Sequence, residues 1–257
     1  MEPLLQTKSV CKYFGDFEAV KNLSFSIYPG EIFGIAGPNG AGKSTLFNLI
    51  TGVPFNASSG EIIFEGREIQ KFKAYQICRL GISRTFQIPV FFQSMTYLEN
   101  VMIGAMYGGT GRANGEIERN ERDSSLEAID FVGLLEKKDD SLQGAPVYDL
   151  KRLMLASGLV SKPKLLLLDE PIGGLTASEI EDTLRFVNKI NEQGTTIAII
   201  EHVLTALMGI SDRVMILNFG EKIAEGIPKE VSNNEDVIEA YLGKEYHKWL
   251  QTIKESV

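Results

Sequence analysis

Gly37, Pro38, Asn39, Gly40, Ala41, Gly42, Lys43, Ser44 and Thr45 spell G-x-x-x-x-G-K-S, the pattern of a phosphate-binding loop. An apolar run, Glu31 to Ala36, stands before it and suits a buried strand. Leu46 to Ile50 follows and suits the first turns of a helix. Strand, loop and helix are the context the pattern needs. Its glycines let backbone N–H groups curl around phosphate oxygens, and the helix N-terminus adds partial positive charge. Lys43 then reaches terminal phosphates, and the Ser44 hydroxyl is placed to ligate Mg²⁺. A glycine-rich turn capping an ordinary helix is the plainer reading, and the residues downstream weigh against it.

The chain has 257 residues, room for one large α/β domain or two small ones. A formal net charge of -8 does not favour nucleic acid. No apolar stretch reaches the roughly 18 residues that span a bilayer, and Met1 to Val10 lacks a secretory pattern. Cys11 and Cys78 make neither a metal spacing nor a disulfide framework. A reduced, cytosolic compartment is expected, with membrane association only through a protein partner.

Leu4 to Ile27 is strand-like, with a turn at Phe14-Gly15-Asp16, and Glu61 to Gly66 is another strand. Tyr75 to Leu80 reads as helix and Ile82 to Phe86 as a short strand. From Met95 to about Ser161 a helical period dominates. One face carries Leu98, Val101, Met102 and Ala105, another Leu126, Ile129, Phe131 and Val132, and a Gly-rich loop, Gly108 to Gly115, separates them. Leu165 to Leu168 and Thr195 to Ile200 are continuous apolar runs, as in parallel strands covered on both faces. Ala177 to Glu192 is an amphipathic helix. Strands over Arg213–Leu217 and Lys222–Ala224 flank a turn at Phe219-Gly220. The tail is helical from Asn234 and charged beyond Gly243.

A phosphate loop needs a carboxylate for its cation. Asp169, at the end of an apolar strand, is the expected Mg²⁺ partner, and Glu170 is placed to polarise an attacking water. Either acid alone also reads as a helix cap. His202 ends the next buried strand, and ligands in parallel sheets bind beyond the carboxyl ends of strands. His202 is therefore either structural or a contact to the terminal phosphate. Phe14, in a strand before the loop, is either core or a platform for a nucleotide base. His247 reads as a solvated surface residue.

In order and spacing, Gly37 to Thr45, Gln87, Leu165-Leu166-Leu167-Leu168-Asp169-Glu170-Pro171 and His202 resemble the nucleotide-binding subunits of ATP-binding-cassette transporters. The resemblance runs to about Gly243. It implies an α/β fold: a P-loop NTPase core with a parallel sheet, an antiparallel β subdomain, and a helical subdomain inserted at about 90–162 of one 1–257 domain. It implies ATP and Mg²⁺ as cofactors. Phe14 and Val20 would contact the nucleotide, Ser44, Gln87 and Asp169 the cation, and Lys43, Glu170 and His202 would act in hydrolysis. Ile82-Ser83-Arg84-Thr85-Phe86-Gln87, Met95 to Val101, Ile200 to Val203 and Asp236 to Gly243 are similar to the ATPases of branched-chain amino acid importers. Lipopolysaccharide-export ATPases share some of this text. Membrane permease subunits are the implied partners, with no direct insertion into the bilayer and no nucleic acid. The implied place is the cytoplasmic face of the inner membrane.

One family motif is missing. Where a Leu-Ser-Gly-Gly-Gln-like signature should stand, the chain has Ala145-Pro146-Val147-Tyr148-Asp149. Pro146 has neither hydroxyl nor N–H, Tyr148 is bulky where a glycine is usual, and Asp149 is expected to repel a triphosphate. Thr176 likewise replaces the usual Asp or Asn. Such ATPases work as head-to-tail dimers, so the expectation is a heterodimer with a second ATPase subunit whose signature is intact. A nucleotide-gated regulatory subunit with little hydrolysis is the alternative.

Overall fold

The computed structural model describes residues 1–108 and 117–242. It divides into two compact units. The first comprises Met1–Ile50, Phe55–Gln70 and the chain from Ile200 on, and the second Thr51–Pro54 and Lys71–Ile199.

The first unit opens with a hairpin, β1 (Leu5–Phe14) and β2 (Phe17–Ile27), which pairs Leu5 with Ile27 and Phe14 with Phe17 around the expected turn. Next come β3 (Ile32–Ala36), α1 (Lys43–Thr51), β4 (Ser59–Phe64) and the two-residue β5 (Arg67–Glu68). The order β2-β1-β4-β5 makes a four-stranded antiparallel sheet. Helix α1 starts at Lys43, three residues before the apolar run that announced it.

The second unit begins with α2 (Ala74–Leu80), ended by Gly81 at φ +104°, and β6 (Ile82–Arg84). Helices α3 (Tyr97–Gly108), α4 (Ile117–Phe131) and α5 (Val147–Leu159) follow, then β7 (Leu165–Asp169), α6 (Ala177–Glu192) and β8 (Thr196–Ile200). Strands β6 and β7 are parallel neighbours, Ile82 against Leu165. The whole helical region is thus the crossover that two adjacent parallel strands require. The three helices pack on one another. Leu98, Val101 and Ala105 are buried as expected. The stripe of α4 is shifted from its expected place. Ser125, Ala128 and Ile129 are buried, whereas Leu126 and Phe131 are half-buried. Helical spacing i, i+3, i+4 explains this, because it aligns 125 with 128 and 129 rather than with 126 and 131. Phe131 instead rests against Phe186 of α6, ring centroids 6.1 Å apart. Gly108 closes α3, and the rest of the expected Gly-rich loop lies outside the described residues.

Back in the first unit stand α7 (Leu204–Ile210), β9 (Arg213–Asn218), β10 (Glu221–Gly226), α8 (Pro228–Ser232) and α9 (Glu235–Leu242). Strand β9 runs parallel to β3 and antiparallel to β10. The charged tail beyond Leu242, with His247, lies outside the described residues. All five residues of each of β3, β7 and β8 are buried, so these strands are covered on both faces. The fold is α/β, with parallel pairing in each unit, an antiparallel sheet in the first and a helical crossover in the second.

Leu167, at the middle of β7, is fully buried. Leu167→Ala is expected to cost about 2–5 kcal/mol through lost transfer energy and the cavity left behind. Urea unfolding would show it as a lower midpoint with an unchanged slope.

Candidate nucleotide site

The phosphate loop follows β3 directly, and its tightness comes from the backbone behind it. A Cβ on Gly37 would lie 2.1 Å from the Leu217 carbonyl oxygen, and one on Gly42 would lie 2.6 Å from that of Ala19. Their φ angles are +153° and +99°. Both space and conformation therefore demand glycine. The N–H of Gly220 donates to Ala41 O at 3.1 Å and that of Lys21 to Gly220 O at 2.8 Å, which ties the loop to the β9–β10 turn and to β2. Val20 is buried beside Gly42. Lys43 folds back and donates to Gly37 O at 2.7 Å and Pro38 O at 3.0 Å. Ser44 is exposed in the first turn of α1.

The Glu201 N–H donates to Ile35 O on β3, so His202 leaves the same strand end from which the loop departs. His202 is exposed and the Glu201 carboxylate, buried beneath it, accepts its backbone N–H. Phe14 is not a core residue: it is 45% exposed. Its ring meets the edge of Phe55 at 4.9 Å, and the Lys12 ammonium lies 5.1 Å over it. Helix α9 brings a residue that sequence reading missed. Tyr241 packs by the Gly37 backbone, and burial pushes its phenol up to about 12. A cleft of about 430 Å³ lies between loop residues Pro38, Asn39 and Ala41 and α9 residues Asp236, Glu239 and Ala240. The signal in the sequence was only that α9 follows the last strand.

In the second unit, Gln87, Asp169 and Glu170 come together although some 80 residues separate them in sequence. Gln87 Nε2 donates to Glu170 Oε2 at 2.6 Å. Glu170 holds φ +50°, a conformation that costs a non-glycine residue of order 1–3 kcal/mol. The buried Lys151 ammonium secures it, donating to Glu170 O at 2.7 Å and Gln87 O at 3.1 Å. Asp169 Oδ2 accepts from Arg84 Nη2 at 2.8 Å, whereas its Oδ1 is buried with no hydrogen-bond partner among the described residues. An orphaned carboxylate oxygen fits Mg²⁺, a hard cation with oxygen ligands.

The degenerate signature has its own chemistry. Pro146 is the N-cap of α5, and Val147, Tyr148 and Asp149 form its first turn. Asp149 does not face outward to repel a phosphate, as the sequence suggested. It is buried, and accepts from Lys137 at 2.6 Å, Arg152 at 2.5 Å and the Tyr97 hydroxyl at 3.3 Å. Burial alone would push its carboxyl up. The Lys137 ammonium and Arg152 guanidinium outweigh that and hold it below the ordinary carboxylate value. Tyr148 lies under Arg152, 4.4 Å from ring centroid to guanidinium, and its hydroxyl donates to Asp182 at 3.3 Å. Thr176 is the N-cap of α6 and exchanges a capping box with Glu179.

Residues 20–173 match the ABC transporter family. The chain belongs to that family. Residues 221–247 of this cassette also match a branched-chain amino acid ATP-binding cassette transporter family. The high-affinity branched-chain amino acid transport ATP-binding protein LivG of Escherichia coli K12 is 36% identical over 253 residues, 95% of this chain and 99% of that protein. A solved ATP-binding cassette of an ABC transporter, in its ADP conformation, superposes with a TM-score of 0.85 at 31% identity, covering 95% of this chain and all of that one. A dimeric bacterial ABC transporter cassette superposes at 0.77 with 25% identity, covering 87% of this chain and 98% of that one.

A folded-state carboxyl held below its unfolded value stabilises the protein above that value, roughly pH 3.9 for Asp, and the contribution is lost as pH falls through the lower folded value. Asp149→Asn is therefore expected to be about 2 kcal/mol less stable than the parent at pH 7. The gap should narrow steadily below about pH 4, read from urea midpoints across pH 3–7.

Proposed function

We propose that this chain is the ATP-hydrolysing subunit of an importer for branched-chain amino acids or similar small polar solutes. The observation that carries the reading is the strained Glu170 beside Asp169, held by Gln87 and Lys151, in a cassette that also carries an intact phosphate loop. Lys43 would move from its loop carbonyls to the terminal phosphates, while the loop's N–H groups hold the phosphate oxygens. Glu170 would orient the attacking water and take its proton, with Gln87 fixing the carboxylate. His202 would contact the γ-phosphate, and Phe14 and Val20 the nucleoside. Ser44, Asp169 and Gln87 are the groups to hold Mg²⁺, which when bound supplies charge neutralisation of the phosphates. The cassette acts as one domain in this reading, with the helical region as its insertion.

Among the described residues no helix is long and apolar enough to cross a membrane. Docking on integral permease subunits is the proposed attachment, at the cytoplasmic face of the cell membrane. Phe86, Ile88, Val90 and Phe92 support it: they lie exposed along one segment directly after β6.

Helix α5 supports a second ATPase chain as partner. A signature segment offers N–H groups and a positive helix end to a partner's ATP. Here Pro146 lacks the N–H, and Asp149 already meets the positive end of α5 from within the protein. This half of the cassette is structurally complete without nucleotide. One competent composite site is therefore proposed per heterodimer, using this chain's phosphate loop and the partner's signature. The same closed segment favours, as a second reading, a regulatory subunit that binds ATP and scarcely hydrolyses it.

Steady-state Mg²⁺-dependent ATPase measurements on the purified chain, alone and mixed with the second ATPase of its transporter, separate the two. The transport reading predicts little activity alone, recovery on mixing, and a loss of at least about a hundredfold in Glu170→Gln. Strong activity from the chain alone contradicts the proposed heterodimer. Tight ATP binding without hydrolysis in any mixture would establish the regulatory reading instead.

A further inference from the structure

Asp169 and Arg84 form a buried ion pair whose side chains are 3% and 7% exposed. Arg84 is itself held in place. Its Nη1 reaches Thr51 Oγ1 at 3.5 Å, and its guanidinium lies 5.0 Å over the Phe86 ring. It occupies one carboxylate oxygen of Asp169 and leaves the other, Oδ1, buried without a partner among the described residues. An ionised carboxylate accepts several hydrogen bonds, so an oxygen left bare in the interior is unusual and marks a place for a donor or a cation.

The charges decide what that place can hold. Arg84 and Asp169 sum to zero, and so do the Lys151 ammonium and the Glu170 carboxylate beside them. A free divalent cation approaching such a pair gains little, because repulsion from the guanidinium offsets attraction to the carboxylate. Among the described residues no three of His, Cys, Asp and Glu gather into a set able to hold a metal alone. Phosphate oxygens supply both missing parts, negative charge and additional ligands. We propose that Arg84 is the fixed counter-ion of Asp169, which holds the carboxylate aligned with one oxygen bare and makes divalent-cation binding conditional on nucleotide. Arg84 is a positioning residue here, acting through Asp169. The inference rests on reading Asp169 as the cation's carboxylate.

Protein-bound Mn²⁺, measured on the full chain by equilibrium dialysis and corrected for the Mn²⁺ that the free nucleotide holds in solution, tests it with and without a non-hydrolysable ATP analogue. The wild type is expected to bind Mn²⁺ well only with the analogue. Arg84→Gln is expected to bind Mn²⁺ without nucleotide on the order of tenfold more tightly than the wild type. Adding Asp169→Asn to that variant should remove the gain. Arg84→Lys keeps the charge and should stay dependent on the analogue. A folded Arg84→Gln chain with unchanged nucleotide-free affinity overturns the proposal, as does an Arg84→Lys chain that binds Mn²⁺ without nucleotide. If Arg84→Gln does not fold, wild-type binding that is equally tight with and without the analogue overturns it. Failure of the underlying reading looks different: Asp169→Asn alone would then leave Mn²⁺ affinity in the presence of the analogue unchanged.

Discussion

A side chain at position 37 would sit 2.1 Å from the Leu217 carbonyl oxygen, and one at position 42 would sit 2.6 Å from that of Ala19. No rotamer relieves contacts with backbone. The loop between β3 and α1 therefore exists in this shape only with glycine at both places, and only while β9 and β2 stand behind it. Much of the first unit is arranged to meet that condition. Strand β9 is paired in parallel with β3, the β9–β10 turn donates an N–H to Ala41, and α9 lays Tyr241 against Gly37. Lys43, drawn onto the carbonyls of Gly37 and Pro38, occupies the loop's own acceptors, which in the proposed reading it would leave for a phosphate.

The second unit poses a problem of charge rather than space. It buries Asp149, Lys151, Asp169 and Glu170. Each is answered within the unit: Asp149 by Lys137 and Arg152, Asp169 by Arg84, Glu170 by the Gln87 amide, and Lys151 by the carbonyls of Gln87 and Glu170. Burying unpaired charges would be far costlier than the pairs themselves are stabilising. The pairing also separates two functions. Around Asp169 it leaves one oxygen bare. Around Asp149 both oxygens are used and the positive end of α5 is already met. In the proposed reading, one half of the cassette is open to a ligand and the other is closed on itself.

What the sequence revealed and what it hid divide along the same line. The phosphate loop, the β7 acids and the buried strands are contiguous strings, so their chemistry and their period are visible in order. The hairpin turn at Gly15-Asp16 is local in the same sense. Arg84 and Asp169 are 85 positions apart, and nothing local to either announces their contact. Asp149 misled because its sign was read without its partners. Tyr97, Lys137 and Arg152 come from three places in the chain, and together they turn an apparent repulsion into a satisfied core group. The apolar stripe of α4 was misplaced for a smaller reason. Its polar residue Ser125 is buried, with its hydroxyl donating to the Glu121 carbonyl one turn back, and a hydrophobic count passes over such a residue.

The claim at the centre is that one cassette half is open and the other closed. Its most direct test is the count and location of retained ATP in a heterodimer with the second ATPase, with both catalytic glutamates replaced by glutamine. One tightly held nucleotide, photolabelled on this chain, is the predicted result. Two nucleotides held alike, or one labelled on the partner, would contradict it.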